Sequence, residues 1–377
     1  MEAQKTVLFE NHLKLGAKMT EFAGWVLPLW YSQGQTAEHL AVRNACGLFD
    51  ICHMGEFKIT GRDASSFLGR MLTNRVQAMQ DGQAMYHFML NEAGGVIDDC
   101  ILYRWNANEY MLVVNAANIE RDFQWLSDHI EGEEVYIKDI SAQTAKLDLQ
   151  GPKAPQLMSK WIAKQTLATL RFFRFLPEIQ INGIPVLVSR TGYTGDVGFE
   201  LYTDVKNAVD LWELLLEEGA SYGLLPCGLA SRDSLRIEAG LPLHGHELSP
   251  DRIALGHPWE FVFFWEKEFL GKKALLEAKA HGEFSFVLPF AMNGPRKAMP
   301  GWDVYYSNEK KGKVLSAVIS PSLSNRPIGF LESSMFLESG TPVQFCSPDQ
   351  NVTLQGEIAR IPFLPLTARK SMEEFLF

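Results

Sequence analysis

Two apolar runs, Asp98–Trp105 and Glu109–Asn115, are rich in Ile, Tyr, Leu and Val and are separated only by the turn-prone Asn106-Ala107-Asn108. Strand-like runs joined across so short a link close as an antiparallel hairpin. Asn118 then stands where a helix begins, with Phe123, Leu126 and Ile130 as its inner stripe. A hairpin leading directly into a helix breaks the strict β-α alternation that a doubly wound parallel sheet requires, so the expected class is α+β with antiparallel sheets.

The flanking chain agrees. Glu56–Gly61 reads as a strand, and a helix follows from Asp63 with Ala64, Phe67, Leu68 and Met71 on one stripe. Pro185–Arg190 reads as a buried strand, Gly192–Gly198 as a glycine-punctuated loop and Phe199–Tyr202 as the strand leaving it. Helices are expected over Asn207–Glu218 and Gly228–Ala239, the second stopped by Gly240. Asn293–Gly301 has the Gly and Pro content of a linker or exposed loop, and the strand-rich chain after Lys311 suggests a small β-barrel or sandwich. At 377 residues, and with domains of roughly 150 residues, more than one core is needed.

Charge narrows the partners. The chain holds 35 Lys and Arg against 45 Asp and Glu, a net charge of −10, which opposes the phosphate contacts of nucleic-acid binding. Its one modest basic cluster, Lys310, Lys311 and Lys313, reads as a solvated turn. Five scattered cysteines with no C-x-x-C pair argue against a disulfide framework and a zinc site, and fit a reducing compartment. With no leader-like N-terminus and no apolar run of membrane length, the expectation is a cytoplasmic protein without membrane contact. Phosphate-loop, dinucleotide, hydrolase-elbow and zincin signatures are all missing. His244-Gly245-His246 lacks a third ligand nearby, so no metal is expected.

Three segments carry chemistry. In Gly94-Gly95-Val96-Ile97-Asp98-Asp99, strand periodicity puts Asp99 with Ile101 and Tyr103 on one face, and Asp98 with Cys100 and Leu102 on the other. One acid pointing into a pocket and two solvated acids at the hairpin entrance are both compatible with that spacing. Around Ser189–Glu200, Gly192, Gly195 and Gly198 let the backbone approach a flat ligand, Tyr193 can stack or donate, and Glu200 can accept paired hydrogen bonds from an amidine-like edge; an exposed strand acid is the plainer alternative. In Gly228–Gly240, Arg232 and Arg236 share one helix face, either in a network with acids such as Asp233 and Glu238 or against an anionic ligand.

These segments, with Leu15–Met19, Phe22–Trp25, Glu38–Arg43, Gly47–Asp50, His53–Glu56, Val113–Ala117, Leu149–Pro152 and Ser320–Leu323, stand in the order and spacing of one family. Over nearly its whole length the chain resembles the aminomethyltransferases, the T-protein of the glycine cleavage system. The resemblance implies a three-domain, cloverleaf-like fold around a central folate channel. Its first domain would be discontinuous, over 1–54 and 152–275, with an α+β domain inserted at 55–151 and a β-barrel at 276–377.

The activity implied is transfer of a methylene carbon from aminomethyl-lipoyl H-protein to tetrahydrofolate. By residue-to-residue match, Asp99 is the acid that orients folate and moves protons, and Asp98 is structural. Glu200 is the pterin-binding acid and Arg232 the folate-pocket arginine. Tyr86, Tyr103, Asn115 and Tyr193 line the same channel, and Met54 forms an apolar wall. Departures from the family pattern fall at Cys52, Arg75, Phe172-Phe173, Asp196-Val197, Ala230-Ser231, Ala368 and the aromatic stretch Gly256–Trp265. They leave two other readings open: another folate-dependent one-carbon transferase or demethylase, and a folate-binding assembly factor, whose K-G-C signature Arg190–Gly195 lacks.

Overall fold

In the computed structural model, which describes residues 3–377, the hairpin forms as expected. Val96–Asn106 and Glu109–Val114 pair antiparallel, with Asn106 opposite Glu109 and only Ala107-Asn108 in the turn. Gln83–Leu90, Gly55–Thr60 and Tyr136–Asp139 complete a five-stranded antiparallel sheet. The helices Ala64–Met71 and Ile119–Asp128 cover one face, burying Phe67, Leu68, Met71 and Leu126 against Cys100 and Leu102. On the other face Ile101 and Tyr103 pack towards a second sheet, so the period-2 division of this strand holds.

That second sheet has six strands, in the order Phe175–Ile181, Ile184–Ser189, Gly198–Asp204, Thr144–Gln150, Cys46–Asp50 and Leu224–Cys227. All pairs are antiparallel except the last, where Leu224–Cys227 runs parallel to Cys46–Asp50. Helix Ala208–Gly219 covers it with Leu211, Trp212 and Leu215, and helix Leu229–Ala239 ends at Gly240 in the left-handed region, φ 75°. The third unit is a closed six-stranded barrel that begins at Phe286, well before Lys311. Asn293–Gly301 is a loop within the barrel rather than a linker ahead of it. Lys310, Lys311 and Lys313 lie on a barrel strand, paired with Asp303, Glu309 and Glu332, rather than in a turn.

Sheet membership moves two of the expected boundaries. Thr144–Gln150 lies inside 55–151 by sequence, yet it pairs with Cys46–Asp50 and Gly198–Asp204 and so belongs to the discontinuous unit. The last residues leave the barrel altogether: Met372 and Leu376 are buried in the core of the six-stranded sheet, and Thr367 and Ala368 donate backbone hydrogen bonds to the Gly195 carbonyl at 3.2 and 3.0 Å. Both shifts have one cause, a pairing partner distant in sequence.

The aromatic stretch Gly256–Trp265 joins the three units. Trp259 and Phe263 pack with Phe88 of the five-stranded sheet and Phe330 of the barrel, and the Trp259 indole donates to the Gly240 carbonyl at 2.8 Å. Among the described residues no helix is long and apolar enough to cross a membrane.

Candidate functional site

Where the three units meet they line an open cavity of about 1250 Å³, beyond the few hundred to about 1,000 Å³ usual for small-ligand sites. Asp99 reaches it from the strand Val96–Asn106. The Tyr86 hydroxyl donates to Asp99 Oδ2 at 2.8 Å, and Asn115 Nδ2 donates to Asp99 Oδ1 at 3.0 Å. Asp98, completely buried on the opposite face, accepts from Asn115 N and Nδ2, each at 2.8 Å, and from Asn118 Nδ2 at 2.6 Å. Burial, and then the neighbouring Asp98 charge, push the Asp99 carboxyl up to about 7. Neither acid is a solvated hairpin cap.

Asn118 occupies the N-cap of its helix, but its side chain makes no cap bond there. The amide is spent on Asp98 and on His244 Nδ1, 3.2 Å away, while His244 Nε2 lies 3.1 Å from the Val96 carbonyl. That pattern sets His244 as the neutral Nε2–H tautomer, and burial lowers its pKa. Among the described residues no group of three His, Cys, Asp or Glu side chains is placed to hold a metal.

The far wall is built on the glycine loop and the strands beside it. Glu200 is 3% exposed. Its Oε2 accepts from the hydroxyls of Thr191 at 2.6 Å, Tyr103 at 3.2 Å and Tyr202 at 3.3 Å, and its Oε1 lies 3.2 Å from the Lys146 ammonium. Burial pushes the Glu200 carboxyl up, but Lys146 and the Thr191 hydroxyl outweigh it and hold the group below its usual range. Tyr103 is therefore not a channel residue. It is fully buried behind Glu200, with its hydroxyl fixing that carboxylate.

Arg232 projects from the first turn of helix Leu229–Ala239 and donates to Asp148 Oδ2 at 2.5 Å, with its guanidinium over the Tyr193 ring, 4.9 Å from the centroid. Burial pushes Asp148 up to about 6 against the pull of that guanidinium. Tyr193 lines the cavity with its hydroxyl donating to the Pro242 carbonyl. Met54 also lines it, its Sδ 3.5 Å from Lys146 Nζ. Arg236 does not share the role of Arg232: it is buried between Asp233 and Glu247, at 2.8 and 2.7 Å, as a structural network.

Lys146 and Asp148 had no place in the sequence reading. Both stand on the strand Thr144–Gln150, where a Lys and an Asp two apart in Thr-Ala-Lys-Leu-Asp-Leu-Gln share one face. Charges repeating at period 2 within an apolar strand were the available signal. His53 was also missed as a site residue. It lines the cavity 6% exposed, its Nδ1 without a partner, and burial lowers it to about 4 despite the nearby Asp50.

Residues 8–265 match the family model described as the GCVT N-terminal domain. The chain belongs to the aminomethyltransferase family of the glycine cleavage system. It is 43% identical to an aminomethyltransferase of Caldanaerobacter subterraneus subsp. tengcongensis over 345 residues, 90% of this chain and 91% of that protein. An aminomethyltransferase of Bacillus licheniformis is 40% identical over 364 residues, 96% of this chain and 98% of that one. Among solved structures, glycine cleavage system aminomethyltransferase T from Bartonella henselae superposes with a TM-score of 0.88 at 31% identity, over 97% of this chain and 99% of that chain.

Departures from the family pattern separate by place in this aminomethyltransferase. Phe172, Phe173 and Ala368 line the cavity, with the Arg369 guanidinium over the Phe172 ring. Arg75 lies outside it, against Phe264. The Cys52 thiol is turned to the Lys146 backbone, donating to its carbonyl at 3.4 Å.

Proposed function

We propose that this chain transfers the methylene carbon of an aminomethyl group, held on the lipoyl arm of H-protein, to tetrahydrofolate. The products are 5,10-methylenetetrahydrofolate, ammonia and dihydrolipoyl H-protein. The observation that carries this reading is the Asp99 carboxyl, poised near 7 inside the cavity and fixed on both oxygens by Tyr86 and Asn115. A group with that poise can hold and release a proton at neutral pH without large cost in either direction.

The residues present fit a folate. The volume suffices, and the cavity lining also offers a buried carboxylate at Glu200 and a guanidinium at Arg232 stacked on Tyr193. Glu200 Oε2 is already saturated by three hydroxyls, so recognition of an amino-pyrimidinone edge falls to Oε1 beside Lys146. Tetrahydrofolate supplies the nucleophilic nitrogen and carries away the one-carbon unit. Two bonds from the carbon to folate nitrogens form as its bonds to the amine and to the lipoyl sulfur break, and the two protons displaced from the folate nitrogens end on the departing amine and on that sulfur; Asp99 takes up one of them and returns it to the amine. Walls drawn from three units exclude water, which would otherwise release the carbon as formaldehyde.

We infer a cytoplasmic setting from the five free thiols and, from the acidic composition, no nucleic-acid partner. The departures at Phe172, Phe173 and Ala368 line the same cavity as Asp99, while Asp99, Glu200 and Arg232 are all present, which supports a retained reaction rather than a different one-carbon donor.

The test runs the reaction in reverse, with dihydrolipoyl H-protein, 5,10-methylenetetrahydrofolate and ammonia, read by intact mass of the H-protein. The aminomethyl adduct should form with the wild type, and Asp99→Asn should slow it about 100- to 10,000-fold while retaining tetrahydrofolate binding. Absence of adduct from a wild-type protein that binds tetrahydrofolate would overturn the assignment.

A further inference from the structure

On the side of the strand Val96–Asn106 turned away from the cavity, Asp98 meets the first turn of helix Ile119–Asp128. Asp122 projects from that turn at 0% exposure and does not line the cavity. Among the described residues it alone buries both carboxyl oxygens without a hydrogen-bond donor to either. A carboxylate in that state would have surrendered its water for nothing.

Arg121 is a cation facing Asp122, but its pull does not outweigh burial and the Asp98 charge. Arg121 Nε stands 3.6 Å from Oδ1, beyond hydrogen-bond reach, while another of its N–H groups donates to the Ile97 carbonyl. Cys100 and Asp98 face it from the strand, Asp99 follows one residue on, and His244 lies beyond Asn118 as a neutral ring. A helix N-terminus favours an anion, yet no backbone N–H reaches this carboxyl.

Asp98 presents the opposite case. Each of its three hydrogen bonds comes from an N–H, at Asn115 N, Asn115 Nδ2 and Asn118 Nδ2, so it acts purely as an acceptor, the signature of a carboxylate. Neither Asp122 oxygen has a donor to stabilise a charge, and burial, the adjoining Asp98 charge and a hydrogen bond between the two carboxyls favour the acid form of Asp122 over the opposing pull of Arg121.

We propose that Asp122 is kept as a carboxylic acid and donates a hydrogen bond to Asp98, holding Asp98 as the charged member of the pair and directing the exchangeable proton of the site to Asp99. Burial, and then the adjacent Asp98 charge, push the Asp122 carboxyl up to about 11. Asp122 is a positioning residue, acting on Asp99 through Asp98. The consequence for catalysis rests on the transfer reaction proposed above; the protonation of Asp122 does not.

The test is carboxyl ¹³C NMR of the full chain labelled at aspartate Cγ, with Asp122→Asn identifying the resonance. That resonance should stay at its protonated position from about pH 5 to about pH 8, whereas an ordinary aspartate is ionised throughout that range. A signal at the ionised position overturns the proposal. In the same spectra Asp122→Leu, which removes the donor, lets Asp98 compete for the proton and should move the Asp99 midpoint to lower pH by about half a unit or more. Asp122→Asn, whose amide restores a donor to Asp98, should bring the midpoint back. An unmoved Asp99 in the leucine variant also overturns the coupling. Should that variant not fold, Asp122→Ala replaces it, and the wild-type titration alone decides the protonation state. None of these readouts needs turnover, so a failed transfer reaction and an ionised Asp122 are separate results.

Discussion

Lys146 shows what a single side chain contributes to this site. It is 1% exposed in the middle of a strand, with its ammonium 3.2 Å from Glu200 Oε1. Burying either charge alone is costly, and the pair persists because each compensates the other while hydroxyls satisfy the remaining carboxylate oxygen. Lys146→Met keeps the length of the side chain and removes the charge. Glu200 would then be stranded, and the variant should lose about 3–5 kcal/mol of stability in urea unfolding and bind tetrahydrofolate more weakly. Glu200→Gln added to Lys146→Met should recover part of the stability but not the binding. A double variant no more stable than Lys146→Met would show that the pair is not the source of the loss.

At the scale of elements, the loop between Ile184–Ser189 and Gly198–Asp204 is locked by what lies against it. Gly195 has φ 75°, and a Cβ there would stand 2.6 Å from Leu366 Cδ1 and 2.8 Å from Ala239 Cβ. Its carbonyl receives the backbone N–H groups of Thr367 and Ala368, while Arg190 donates to the Ala368 carbonyl at 3.0 Å. Gly195→Ala combines left-handed strain, about 1–2 kcal/mol, with a clash that pushes the C-terminal segment away. Thermal melting should record the loss, and limited proteolysis should cut earlier near Leu366–Lys370; an unchanged cleavage pattern would separate loop from tail. The loop, the hairpin and the helix stop at Gly240 were legible in the sequence because turn chemistry and period-2 alternation are local. The docking of residues 366–377 and the pairing of Thr144–Gln150 were not, because each depends on a partner far away in the chain. Asp99 was legible as one of two acids. Strand period placed the two acids on opposite faces and only the family resemblance singled out Asp99; which face meets the cavity, and the absence of a donor at Asp122, required knowing what packs on either side.

Across the whole molecule the cavity exists only while three units stay together, and Glu238 joins two of them, the discontinuous unit and the barrel. From helix Leu229–Ala239 its Oε2 accepts from Arg43 Nε and Nη2 at 3.0 and 2.9 Å, and lies 3.1 Å from His39 Nε2. On its other oxygen it accepts from the Ser320 hydroxyl of the barrel. The same Arg43 reaches Asp196 at 2.5 Å and the Thr194 carbonyl at 2.8 Å, tying the glycine loop into the network. Burial alone would push the Glu238 carboxyl up, but the hydrogen bond and charge of His39, followed by the Arg43 charge, hold it down at about 2. A carboxyl whose folded pKa lies below its unfolded value contributes stability that is complete above the unfolded pKa and fades as pH falls through the folded one. For Glu238 that window runs from 4.5 down to about 2. Glu238→Gln should therefore cost about 3–5 kcal/mol at pH 7, because it leaves the buried Arg43 short of a counter-charge. The gap between wild type and variant should narrow steadily as urea unfolding is repeated from pH 5 towards pH 3 (about the reach of the method). A gap independent of pH would mean that Glu238 contributes through shape and hydrogen bonding alone, and that the charge at the junction of barrel, helix and glycine loop does not hold the cavity closed.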